Sequence, residues 1–200
     1  TPALIVYPEI VDANIAATLR LLGGRAGRWR PHVKTAKLAF TVSRLVEHGV
    51  KRFKCATSLE LLCACEAGAD DVAVAYPLHG AGARRVREIA ESNPRVRISA
   101  LVEAAEQIEP WAGGKVGLFV DINPGMDRTG IEQARDEDLV ALVGSIVDRG
   151  LAFRGLHYYD GHVAVGSLDE REGTAHRGYD RLMKLVARGE GSGVTGPEVG

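Results

Sequence analysis

Cysteine is scarce in this chain of 200 residues, which has three: Cys55, Cys63 and Cys65. An odd number without a framework spacing argues against structural disulfides. Cys63 and Cys65 stand two apart in a stretch that reads as helix, so they point in different directions. That arrangement does not suit the converging ligands of a zinc site, and small buried hydrophobes are the better reading. Net charge is nearly absent too: 25 Lys and Arg against 26 Asp and Glu leave −1 at pH 7. Both signs are mixed along the chain, which points away from nucleic acid and from an anionic membrane surface. No apolar run approaches the roughly 20 residues of a membrane span. The opening Thr1-Pro2-Ala3-Leu4-Ile5-Val6 puts no charge ahead of its apolar stretch. It does not read as a signal peptide, and the cytoplasm is the expected compartment. A glycine-rich dinucleotide or phosphate loop after an early strand is lacking as well.

What is present is a hydrophobic content of 46%, enough for one sizeable core. Short β-rich runs alternate with amphipathic stretches. Strands are expected at 3–7, 29–35, 52–57, 71–76, 95–102, 115–122 and 151–159. Helices are expected at 11–22, 37–48, 58–67, 81–91, 104–111, 136–149 and 169–188. Ser58 reads as an N-cap, and Gly49, Gly68 and Gly150 sit where helices should stop. Leu139, Leu142, Val143, Ile146 and Val147 share one face of the 136–149 helix. The run Asp169-Glu170-Arg171-Glu172 reads as the solvated start of the last helix. Nearly continuous apolar strands between helices mean a parallel sheet covered by helices. A doubly wound sheet and a (β/α)8 barrel both satisfy that pattern, and the missing dinucleotide motif lowers the first. Six barrel strands follow Trp29, where a closed barrel needs eight. The glycine-rich end from Gly189 to Gly200 reads as a loop running into a further strand. The chain is therefore expected to be an incomplete TIM-type α/β barrel.

The chemistry concentrates in Arg30-Pro31-His32-Val33-Lys34-Thr35-Ala36-Lys37. Strand alternation would put His32 and Lys34 on one face and Val33 on the other. With Val33 under the helices, Lys34 points into the barrel near the C-terminal end of its strand, where barrel active sites are built. A lysine there is costly unless its charge is removed or paired, and a Schiff base with an aldehyde cofactor uses it well. The alternative is a strand-capping lysine that reaches solvent. Lys37, past the strand, reads as a surface charge.

This stretch resembles the cofactor-lysine motif of the D-threonine aldolase / D-serine dehydratase family, relatives of alanine racemase. Members read Arg-Pro-His-x-Lys-x-His-Lys, so this chain departs at Ala36. Three further stretches are similar in the same order: Cys55 to Glu60 with Glu66 to Val72, Asp121 to Gly130, and Gly155 to His162. The resemblance implies a pyridoxal-phosphate (PLP) barrel with Lys34 as the Schiff-base lysine. It implies that Arg128 and Tyr159 bind the cofactor. His32, Asp121, His157 and His162 would surround them; strand alternation against Val116, Leu118 and Val120 points Asp121 inward, where it would hold its neighbours. His79 follows a strand at the same end and could reach the pocket.

The resemblance further implies that residues 1–10 carry a strand of a C-terminal β-domain and that 11–200 form most of the barrel. The absent domain would supply a divalent metal site, for Mn or Zn, and the late phosphate loops. The expected partner is a small D-amino acid, and the expected assembly a homodimer. The expected reaction is aldol cleavage of D-threonine-like β-hydroxy-amino acids. Dehydration of D-serine and racemisation are the alternatives, with a non-enzymatic PLP-carrier barrel as the option from another class.

Overall fold

A computed structural model of the protein describes Ala3, residues 5–191 and residues 198–199. The chain divides into two compact units, Thr1–Ala75 with Glu88–Ile98, and Tyr76–Arg87 with Ser99–Gly200. Every pairing described within a unit is parallel, as the sequence predicts for an α/β barrel.

In the first unit, α1 (Pro8–Leu21) and α2 (Ala39–Glu47) precede β1 (Arg52–Cys55), α3 (Ser58–Glu66) and β2 (Asp71–Pro77). α1 starts three residues before its expected first residue, because Pro8 suits the first helical turn, where its missing N–H costs nothing. Of the expected 3–7 strand, Ala3 and residues 5–7 lie in no strand, and Leu4 falls outside the described residues. The N-cap of α3 is Thr57 rather than Ser58. The Thr57 hydroxyl accepts from the Glu60 amide at 3.2 Å, and Glu60 accepts from the Ala56 amide at 2.8 Å. The first bond satisfies a donor that the opening turn leaves open, and the second ties down the residue before the cap. Phe53, Leu61 and Val72 are fully buried in this unit's core. Burial raises the thiols of Cys55 and Cys65, the latter to about 11, so both are protonated at neutral pH.

The second unit strings β4 (Gly117–Asn123) between β3 (Arg97–Val102) and β6 (Phe153–Tyr158), with β7 (Glu198–Val199) beyond β6. β7 is the strand expected after the glycine-rich end; residues 192–197 and Gly200 fall outside the described residues. A two-residue β5 (Ile131–Glu132), unexpected from sequence, pairs with the end of β4. α4 (Gly80–Ser92), α5 (Asp136–Asp148) and α6 (Leu168–Gly191) complete the chain. The expected 104–111 helix is two 3-10 turns, Ala105–Gln107 and Glu109–Trp111. Pro110 has no N–H to donate, and the Gln107 side chain takes the Glu103 amide at 2.7 Å.

The β4–β6 ladder shifts register once. Leu118 faces Phe153 and Phe119 faces Gly155, so Arg154 is an extra residue on β6. Its side chain lies across Gly117, where a Cβ would come within 2.6 Å of it, and donates to the buried Ser99 hydroxyl at 3.0 Å. After the shift Asp121 pairs with His157 and Ile122 with Tyr158. Tyr158 packs its hydroxyl on Gly178 of α6, where a Cβ would lie 2.1 Å from it. Tyr158 therefore marks the helix-facing side of the sheet, and Asp121 and His157 lie on the opposite, interior side.

Candidate active site

The expected 29–35 strand is not formed. Among the described residues its ladder is one parallel bridge, His32 to Lys54, with the Lys54 amide donating to the Pro31 carbonyl at 2.9 Å. The chain then curls into a 3-10 turn, Val33–Thr35. The Val33 carbonyl accepts from Ala36 and Lys37, at 3.1 and 2.9 Å, and Lys37 closes the turn with φ of 56°. Val33 is buried, as alternation predicts, but His32 and Lys34 do not share a strand face, because the strand ends at His32. The His32 imidazole folds back instead, and its Nδ1 accepts from the Lys34 amide at 3.2 Å. Lys34 is exposed in the middle of the turn. An apolar cavity of about 460 Å³ between α1 and α2 is lined by Pro31, His32, Val33, Thr35 and Ala36, and Lys34 alone of this segment is not part of its wall. Ala36, where the resembled motif has histidine, thus faces the helix layer.

Arg30 serves elsewhere in the first unit. Its guanidinium donates to Asp71 Oδ1 at 2.8 Å, and Arg97 meets Asp71 Oδ2 at 3.1 Å. Asp71 is 1% exposed at the first residue of β2. Two guanidiniums on one buried carboxylate are a structural clamp at the end of the strand opposite to where barrel chemistry is built. Nothing in the sequence marked Asp71 as its partner.

In the second unit the interior end of the sheet carries a buried pair. His157 Nδ1 and Asp121 Oδ1 are 2.6 Å apart, with both residues under 10% exposed. Asp121 Oδ2 is buried and accepts no hydrogen bond among the described residues. A carboxylate oxygen desolvated without a donor is costly, so this atom favours a hydrogen-bond donor brought to it. The neighbour that Asp121 meets is His157.

Arg128 and Tyr159 also meet. The guanidinium lies 5.0 Å from the ring centroid, a cation–π distance, and both side chains are exposed. Tyr159 is one residue past β6. The loop that delivers Arg128 is tightly built. Asn123 Oδ1 accepts from the Gly125 and Asp127 amides at 2.9 and 3.1 Å, and Asp127 takes a positive φ of 53°. Gly130, at φ 97°, donates its amide to the Glu103 carboxylate; a Cβ there would meet the Asn123 nitrogen at 2.7 Å. Glu103 and Asn123 escaped the sequence reading, although an acid directly after a barrel strand is the signal that finds Glu103. His162 packs on Gly125 in the same loop cluster, exposed. His79 lies in the short link between β2 and α4, where its carbonyl accepts from the Gly82 amide. Among the described residues no group of three His, Cys, Asp or Glu side chains could hold a metal ion. No helix of the described residues is long and apolar enough to cross a membrane.

The chain matches the family model "Alanine racemase, N-terminal domain" over residues 8–199. Among solved structures it is similar to D-threonine aldolase from Filomicrobium marinum, with 26% identity and a TM-score of 0.87, covering 100% of this chain and 55% of that one. It is similar to D-threo-3-hydroxyaspartate dehydratase from Delftia sp. HT23, with 19% identity and a TM-score of 0.85, covering 100% and 54%. It also resembles a lysine/ornithine decarboxylase from Vibrio vulnificus, with 17% identity and a TM-score of 0.65, covering 89% and 48%. The last two likenesses speak for the fold alone. The chain thus spans about half the length of the structures it matches. No curated protein matches it.

Proposed function

Because this chain belongs to the alanine racemase N-terminal domain family, whose relatives include PLP-dependent aldolases, dehydratases and decarboxylases, we propose that it is the cofactor-binding part of a lyase that cleaves D-threonine-like β-hydroxy-amino acids. One observation carries the reading: the likeness to D-threonine aldolase runs the whole length of the chain at 26% identity. The Arg30-Pro31-His32-Val33-Lys34 motif supports it independently.

The residues present suit PLP. Lys34 is an exposed amine on a closed turn, the kind of group that can hold an aldehyde. Tyr159 offers an aromatic face and Arg128 a guanidinium above it, which suit a planar anionic ring. Asp121 Oδ2 is a buried acceptor awaiting a donor. When bound, PLP supplies the electron sink for bond cleavage at the substrate's α-carbon. In this reading Lys34 holds the cofactor. By the same resemblance Arg128 and Tyr159 would orient it, and within their own unit Asp121 holds the His157 imidazole. A divalent metal, Mn or Zn, would come from residues outside this chain and polarise the hydroxyl. The protein would work in the cytoplasm as a homodimer.

The test is product analysis on the full natural protein with PLP. D-threonine should give glycine and acetaldehyde, and a chelator should stop the reaction. Pyruvate and ammonia from D-serine, without glycine from D-threonine, would reassign it as a dehydratase. Interconversion of the alanine enantiomers, indifferent to chelator, would make it a racemase.

A further inference from the structure

We infer that His32 is a positioning residue. Its imidazole acts as the acceptor that ends the strand and closes the turn from which Lys34 is presented. The inference rests on the reading of Lys34 as the cofactor lysine and adds to it a device that sequence alternation conceals.

The chain from Pro31 enters alongside β1 and leaves the ladder after one bridge. A strand residue normally finds its next partner on the neighbouring strand. At Lys34 the backbone amide finds it two residues back, on His32 Nδ1 at 3.2 Å. A side chain accepting from the second residue after it is the geometry by which asparagine, aspartate and serine begin helical turns. Histidine does so here, with its backbone extended at φ −90° and ψ 118°. Val33, buried, anchors the turn from below, and its carbonyl collects the Ala36 and Lys37 amides. The consequence is directional. The neighbours of Lys34 from Pro31 to Ala36 line the helix-side cavity, and Lys34 does not. A strand continued through Lys34 would keep its amide in a ladder and its side chain at the mercy of the sheet's alternation. The turn frees the side chain from that alternation.

The role assigned here to the imidazole is to accept a backbone N–H. That separates it from the roles histidine usually has, proton transfer and metal binding, neither of which a carboxamide performs. The separation is testable with two substitutions in the full natural protein. His32→Asn keeps an acceptor of the right reach, and His32→Phe keeps a planar ring and removes the acceptor. Two readouts are taken. One is hydrogen exchange of the Lys34 amide without cofactor. The other is PLP affinity by absorbance titration, with borohydride reduction and peptide mapping to locate the label.

The expected result is an asparagine variant within about twofold of the parent in both readouts. The phenylalanine variant should exchange the Lys34 amide about fivefold faster and bind PLP about fivefold more weakly, as befits the loss of one capping bond. Circular dichroism should show both variants folded. Equal damage from asparagine and phenylalanine would overturn the inference in favour of imidazole chemistry. An unaltered phenylalanine variant would overturn it in favour of a turn that needs no cap. Label on a lysine other than Lys34 in the parent protein would overturn the underlying reading, and the inference with it. The exchange readout, which needs no cofactor, tells the two failures apart.

Discussion

Asp71 in the first unit and Asp121 in the second are buried to nearly the same degree, 1% and 2% exposed, yet they are treated in opposite ways. Asp71 opens its strand, and each of its oxygens meets a guanidinium, from Arg30 and Arg97. Asp121 lies near the end of its strand, one oxygen on His157 and the other on nothing among the described residues. Both oxygens of the first carboxylate are engaged by cations, and one oxygen of the second has no donor among the described residues. In parallel α/β barrels the first position serves stability and the second serves chemistry. The same residue type, equally desolvated, is thus sorted by which end of a strand it occupies.

Removing the charge at the closed end should have the larger effect. Asp71→Asn leaves the Arg30 guanidinium, only 9% exposed, without its counter-charge. It should cost about 3–5 kcal/mol in a urea titration while the reduced label still lands on Lys34 in the folded fraction. A loss under 1 kcal/mol would mean that the clamp is ornamental and the contrast false. Asp121→Asn should cost less stability, about 1–2 kcal/mol, because one bond loses its charge and no buried cation is stranded. Turnover at saturating PLP should nevertheless fall by about tenfold, roughly 1.4 kcal/mol of barrier. If the two variants lose stability equally and turnover is untouched, the end of the strand does not decide the role.

The smallest expected effect has the opposite sign and sharpens the comparison at the Lys34 turn. Lys37 closes that turn at φ 56°, a conformation in which a Cβ crowds the following carbonyl. Lys37→Gly should gain about 0.5 kcal/mol in stability, read as a higher Tm. No gain would show that the lysine side chain makes up for its strain through contacts of its own.

The alternation of strands and helices was legible because burial on both faces writes near-continuous apolar runs, as in β2, β3 and β4. The helix ends marked by Gly49, Gly68 and Gly150 were legible for a local reason: all three have positive φ. The 29–35 segment was misread because an alternating run looks the same whether or not a neighbour continues the ladder, and the side chain that ends it also fits a strand. The 104–111 segment was misread because Pro110 and the Gln107 side chain act on backbone donors that a periodicity count does not weigh. At the site, the inward aim of Asp121 followed from alternation within one strand. Its partner did not, since His157 stands 36 residues away and the pairing depends on an inter-strand register that no local pattern encodes. Arg128 and Tyr159 were named through resemblance alone, and their mutual stacking is a fact of loop geometry.

The extra residue on β6 works like a parity bit. Side chains along a strand alternate, so one inserted residue exchanges the two faces of everything after it. With Arg154 in place, His157 falls beside Asp121 and Tyr158 falls on α6. Counted without it, the same string of residues would set Leu156 opposite the buried carboxylate, turn Tyr158 inward beside Asn123 and send the imidazole out toward the helices. Gly117 makes the inserted residue tolerable by leaving room for its side chain. The identity of the interior end of this sheet is therefore written before His157 is reached, in a length rather than in a residue. A family member with a strand of the same length but no bulge would need different letters at 156 and 157 to spell the same site.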